Sequence, residues 1–126
     1  MAGQHSSLTP ERWSGYGLDR QILMIANEMH RAGQLVRPGD EGRRRNSYER
    51  VLNLVDLTVA VHSTRSLRRE LLRWRDLVAE LYLAEAPRPD LHRAAFKCLL
   101  QFRPEAARQI PLLLPEPAAD SGPRLV

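Results

Sequence analysis

The sequence predicts an all-α protein: an antiparallel helical bundle of three long helices and a shorter fourth, followed by a proline-rich tail. Three observations carry that expectation. Apolar residues recur every three or four positions over long stretches, notably 18–36 and 67–81. The link between the second and third helices, His62-Ser63-Thr64, is short, which predicts that those two form an antiparallel hairpin. Seven of the nine prolines lie between Pro87 and Pro123, so long helices should end before them. The chain divides accordingly into an N-terminal segment 1–17, a helical domain 18–110 and a tail 111–126, extended beyond Leu114.

The first long helix is expected over 18–36, where Leu18, Ile22, Ile25, Met29 and Val36 share one face. Arg20, Asn27, Arg31 and Gln34 lie opposite. Gly15-Tyr16-Gly17 before it reads as a flexible turn rather than a phosphate loop, since no strand precedes it. Arg37-Pro38-Gly39 stops the helix, and 38–45 reads as a polar loop that carries the triplet Arg43, Arg44 and Arg45.

Asn46 followed by Glu49 has the spacing of a capping box and predicts the start of the second helix. Tyr48, Val51, Leu52, Val55 and Val59 line one face, and Leu54, Leu57 and Val61 a second. Only Glu49, Asn53, Asp56 and Ala60 remain as a polar stripe. A helix apolar on so much of its circumference belongs in the middle of a bundle.

His62-Ser63-Thr64 supplies a turn, and the third helix runs to Leu83 with a seam of Leu67, Leu71, Trp74, Val78 and Leu81. Asp90 is placed to cap a fourth helix to about Phe102, with Leu91, Ala95, Cys98, Leu99 and Phe102 inward. Pro104 opens one further turn through Ile110.

The 126 residues suffice for one domain with a core of its own. A single cysteine, Cys98, excludes an internal disulfide and fits a reducing cytosol. No stretch reaches the ~20 apolar residues of a membrane span, and the start lacks the apolar core of a signal peptide. A cytoplasmic protein with no membrane partner is the expectation.

Chemistry-bearing patterns are sparse. His5, His30, His62 and His92 show no helix-borne metal spacing, so no metal or cofactor is expected. Cys98 occupies an apolar helical position and reads as a small core residue. Small helical nucleases place four to six residues between a catalytic Arg and His. Arg88 and His92 have three between them, and Pro89 interrupts the helix. No enzyme activity is expected.

The arginines are the remaining signal. Net charge is +4, and it divides as −1 over 1–42, +4 over 43–83 and +1 over 84–126. In the third helix Arg65, Arg68, Arg69, Arg73 and Arg75 crowd the N-terminal half while Asp76 and Glu80 follow. That order opposes the helix macrodipole. Glu70 and Asp76 can reach Arg73, but Arg65, Arg68 and Arg69 have no clear local acid. The candidate anion-binding residues are therefore Arg43, Arg44, Arg45, Arg65, Arg68, Arg69 and Arg73. Two partners suit them: the backbone of RNA or DNA, or carboxylates of a protein partner or sister subunit.

The stretch NSYERVLNLVDLTVAVHSTRSLRRELLRWRDLVAELYL resembles the central hairpin of small bacterial helical-bundle proteins. These are the accessory variability determinants of diversity-generating retroelements and the large-subunit-rRNA intervening-sequence proteins. The resemblance implies a four-helix bundle, a ring-forming homo-oligomer and a basic surface. For the retroelement type it also implies a reverse transcriptase and nucleic acid as partners.

Overall fold

A computed structural model describes residues 8–115. Among them lie seven α-helices and no strand: α1 (Pro10–Ser14), α2 (Leu18–Gln34), α3 (Glu41–Val61), α4 (Arg65–Leu83), α5 (Pro89–Leu100), α6 (Pro104–Ala107) and α7 (Ile110–Leu113). The tail beyond Pro115, expected to be extended, lies outside the described residues.

Thr9 starts α1: its hydroxyl accepts the Arg12 amide at 3.2 Å, and Pro10 takes the first position, where no amide hydrogen is needed. This short helix carries Trp13, which is 0% exposed and belongs to the core. Its indole N–H donates to Thr58 Oγ1 at 2.9 Å, and that hydroxyl donates in turn to the Leu54 carbonyl at 2.8 Å. Buried Gln21 donates to the carbonyls of Trp13 and Tyr16, and its Oε1 lies 2.7 Å from His62 Nε2. Each of these side chains brings a polar atom inside, and each finds a partner. The network clamps α1 onto α2 and α3.

α2 ends at Gln34, two residues before the expected Val36. Gly39 makes the following turn with φ of 95°, a conformation that side chains with a Cβ rarely adopt. Gly39→Ala should therefore cost about 1–2 kcal/mol in equilibrium denaturation, although a Cβ there meets no atom within 4 Å. Asp40 ties the turn: Oδ2 accepts the Arg37 amide at 3.1 Å and Oδ1 the Arg43 guanidinium at 2.6 Å. Those bonds, Arg43 foremost, hold the Asp40 carboxyl below its usual pKa.

The start of α3 corrects the sequence expectation. The helix begins at Glu41, so Arg43, Arg44 and Arg45 are helical and not part of a loop, and Asn46 sits inside the helix instead of capping it. Asp40 occupies the cap position, and three consecutive arginines are good helix formers, so nothing delays initiation. Glu49, Asn53, Asp56 and Ala60 are all exposed, while α3 packs against α1, α2 and α4. Arg50 Nε donates to Glu28 Oε1 at 3.0 Å between α3 and α2, with both side chains largely buried.

Leu71, Trp74, Val78 and Leu81 of α4 are buried and Leu67 is half-buried, as a one-sided seam requires. Arg75 bonds Asp56 of α3 through Nε at 2.7 Å. Trp74 donates its indole N–H to the Ala95 carbonyl of α5 at 2.7 Å. In α5 the buried set is Ala95, Phe96, Leu99 and Leu100. Cys98, expected inward, is exposed. Phe96 and Leu100 extend the stripe on the opposite side of Leu99 from Cys98, so the larger apolar side chains win the interior. Pro104 does begin a turn, but it closes at Ala107, and α7 follows as a separate one.

Candidate functional site

α4 carries the strongest charge anomaly in the chain. Arg65, Arg68, Arg69 and Arg73 are all exposed, on the side away from the Leu71–Leu81 seam. Arg73 meets Glu70 at 3.8 Å, a loose and solvent-exposed pair worth little. Arg75 is held by Asp56, whose hydrogen bond raises its pKa above the ordinary arginine value. Among the described residues the side chains of Arg65, Arg68 and Arg69 make no ion pair or hydrogen bond. Arg65 and Arg69, and Arg69 and Arg73, face each other at i, i+4, each pair costing about 0.2–0.5 kcal/mol. Apart from the loose Arg73–Glu70 pair, nothing on the helix offsets this: α4 has no acid in its first turn, no base in its last, and no side-chain hydrogen bond from its cap residue Thr64.

The seven candidate arginines do not form one patch. Arg43, Arg44 and Arg45 stand at the beginning of α3, and Val61 ends it about 24 Å further on at 1.5 Å per residue. Three residues then lead into α4, so Arg65, Arg68 and Arg69 start from the far end of α3. Arg43 is paired with Asp40. Arg45 is exposed. Arg44 is only 5% exposed and does not join the outer arginine surface. Of the seven candidates, the exposed arginines grouped on α4 are thus Arg65, Arg68, Arg69 and Arg73. Leu72, 47% exposed, lies among them.

A second feature was not legible in the sequence. Tyr48 Oη lies 2.7 Å from His92 Nδ1, across 44 residues of chain. His92 also packs edge-on against Phe96, ring centroids 5.8 Å apart, and its Nε2 comes so close to α2 that a Cβ on Gly33 would sit 2.7 Å away. Glycine at 33 is what lets α5 approach α2 there. Burial, and then the neighbouring His30, push the His92 pKa down to about 4, while burial raises that of Tyr48 to about 12. At neutral pH both groups are uncharged and share one hydrogen, which gives a positioned polar pair and no ready nucleophile.

Stability should follow His92. Its unfolded pKa near 6.5 exceeds the folded value of about 4, so on acidification the unfolded chain takes the proton first. The contribution is complete above pH 6.5 and is lost as pH falls toward 4, an effect of about 3 kcal/mol. In His92→Asn, whose amide can still bond Tyr48, the unfolding free energy should fall less over that pH range.

Although Cys98 is exposed, partial desolvation of its thiol and then Glu70 raise its pKa, which disfavours the thiolate. Among the described residues no group of three His, Cys, Asp or Glu side chains could hold a metal ion, and no helix is long and apolar enough to cross a membrane. Comparisons with protein-family models, with curated proteins and with solved structures find no match to the chain.

Proposed function

We propose that this chain is a non-catalytic accessory protein, an antiparallel bundle of three long helices and a shorter fourth, that presents the α4 arginines to the phosphate backbone of RNA or DNA. One observation carries the proposal: Arg65, Arg68 and Arg69 crowd the uncapped start of α4 with no carboxylate partner among the described residues. A phosphate placed there meets guanidinium forks and unbonded first-turn amides together, and its charge relieves both the repulsion and the dipole. Trp74 is buried and Tyr82 half-buried, so bases find no aromatic platform on this face. Contacts are then to phosphate and carry no sequence preference. The resemblance of 46–83 to ring-forming bundles supports a cytoplasmic homo-oligomer, which would multiply the face.

Leu72 favours a second reading. An apolar side chain among arginines suits a protein adaptor whose partner supplies carboxylates around an apolar contact. Fluorescence anisotropy with labelled duplex DNA, single-stranded RNA and a Glu-rich peptide, each from 50 to 200 mM salt, distinguishes the two. Four phosphate contacts predict a weakening of about a hundredfold on duplex DNA over that range. Absence of binding to either nucleic acid at 50 mM salt refutes the proposal, and capture of the peptide alone establishes the adaptor.

A further inference from the structure

Residues of α2, α3 and α5, with Pro87 and Pro89 before and within the start of α5 and Leu113 and Leu114 at the end of α7, enclose a cleft of about 280 Å3. Its lining contains three arginines and two histidines but no Asp or Glu. The arginine that matters is Arg44. Only 5% of it is exposed, its Nη1 donates to the Leu35 carbonyl at 3.1 Å, and no carboxylate among the described residues pairs with its charge. A buried guanidinium has five donor hydrogens, and a single carbonyl leaves most of that capacity, and all of the charge, unanswered. Arg88 stands exposed at the rim, where α5 begins without a side-chain cap. The uncharged Tyr48–His92 pair offers polar atoms on one wall. Val36, Pro87, Pro89, Phe96 and Leu113 make much of the remaining surface apolar. His30, Gln34 and Arg93 also line it, and the Arg93 guanidinium is already bonded to the Leu114 and Pro115 carbonyls.

We propose that this cleft binds a small carboxylic acid with an apolar body, its carboxylate received by Arg44 beside Tyr48 and His92. One buried fork matches one carboxylate in charge and in planar geometry. A phosphate dianion, more strongly hydrated and doubly charged, would leave the apolar walls uncovered. The volume lies near the lower bound for ligand pockets, which restricts the body to something of the size of a phenyl ring with a short chain. No residue of α4 lines the cleft, so this site is independent of the arginine face.

Isothermal titration of the full chain with 4-phenylbutyrate, 4-phenylbutanol and inorganic phosphate tests the assignment. Phenylbutyrate should bind at least roughly tenfold more tightly than the alcohol, the difference a charge-assisted contact supplies, and phosphate should not bind measurably. Arg44→Gln should abolish the preference for the acid over the alcohol. Should Arg44→Gln fail to fold, the exposed Arg88→Glu decides instead: it should weaken phenylbutyrate several-fold and leave phenylbutanol unchanged. Equal affinity for acid and alcohol, phosphate binding as tight as that of the acid, or an acid affinity indifferent to Arg88→Glu would each overturn the proposal.

Discussion

Trp74→Ala should lower the unfolding free energy by about 3–5 kcal/mol, a large share of the 5–15 kcal/mol that domains of this kind possess. Trp74 is 2% exposed, sits mid-seam in α4, and is among the largest fully enclosed side chains. Truncation removes the indole from contact with its neighbours and leaves a cavity that helices fixed on several sides cannot close. It also removes the 2.7 Å bond to the Ala95 carbonyl, the link that couples α4 to α5. Trp74→Phe separates the two contributions. It keeps much of the volume and loses the bond, so chemical denaturation should show about 1–2 kcal/mol lost instead. Equal losses in the two variants would mean that the hydrogen bond, and not the volume, carries the contact.

Arg68→Glu combined with Arg69→Glu should lower affinity for duplex DNA at 50 mM salt by about a hundredfold or more. Two of four phosphate contacts disappear, which reduces the slope of log K against log salt by about 2, and two carboxylates now repel the backbone. Arg45→Glu is the control. Arg45 is exposed and basic, but it stands at the opposite end of α3 from the start of α4, and its reversal should change the slope by less than 1. If both variants lose affinity alike, net charge rather than the α4 face governs binding.

How much of this was legible beforehand follows from how far apart the determining residues lie. The α4 seam and the polar stripe of α3 repeat at helical spacing, so the pattern itself says which side faces inward. The start of α3 is not legible because Arg43, Arg44 and Arg45 carry no apolar period, and a run of charge reads as loop even where Asp40 and good helix propensity begin a helix. The exposure of Cys98 is not legible because position alone does not choose between it and Phe96; volume does. Trp13 meets Thr58 across 45 residues and Tyr48 meets His92 across 44, and no local pattern encodes such contacts. The cleft inherits that opacity. Arg44 looked like one of three equivalent surface charges until the helix rotated it inward, while the isolation of Arg65, Arg68 and Arg69 was visible from the order of charges along a single helix.

In the proposed function, α4 tolerates an unfavourable charge order because an external polyanion relieves it. Denaturant unfolding of the wild type and of Arg68→Glu/Arg69→Glu, each with and without excess duplex DNA at 50 mM salt, tests this directly. Without DNA the variant should be the more stable by about 0.5–1 kcal/mol, since i, i+4 repulsions become attractions. With DNA at a hundred times the wild-type Kd, the wild type should gain about 2.7 kcal/mol and the order should reverse. A variant less stable than the wild type without DNA, or a wild type that DNA does not stabilise, would mean that no polyanion relieves the α4 charges.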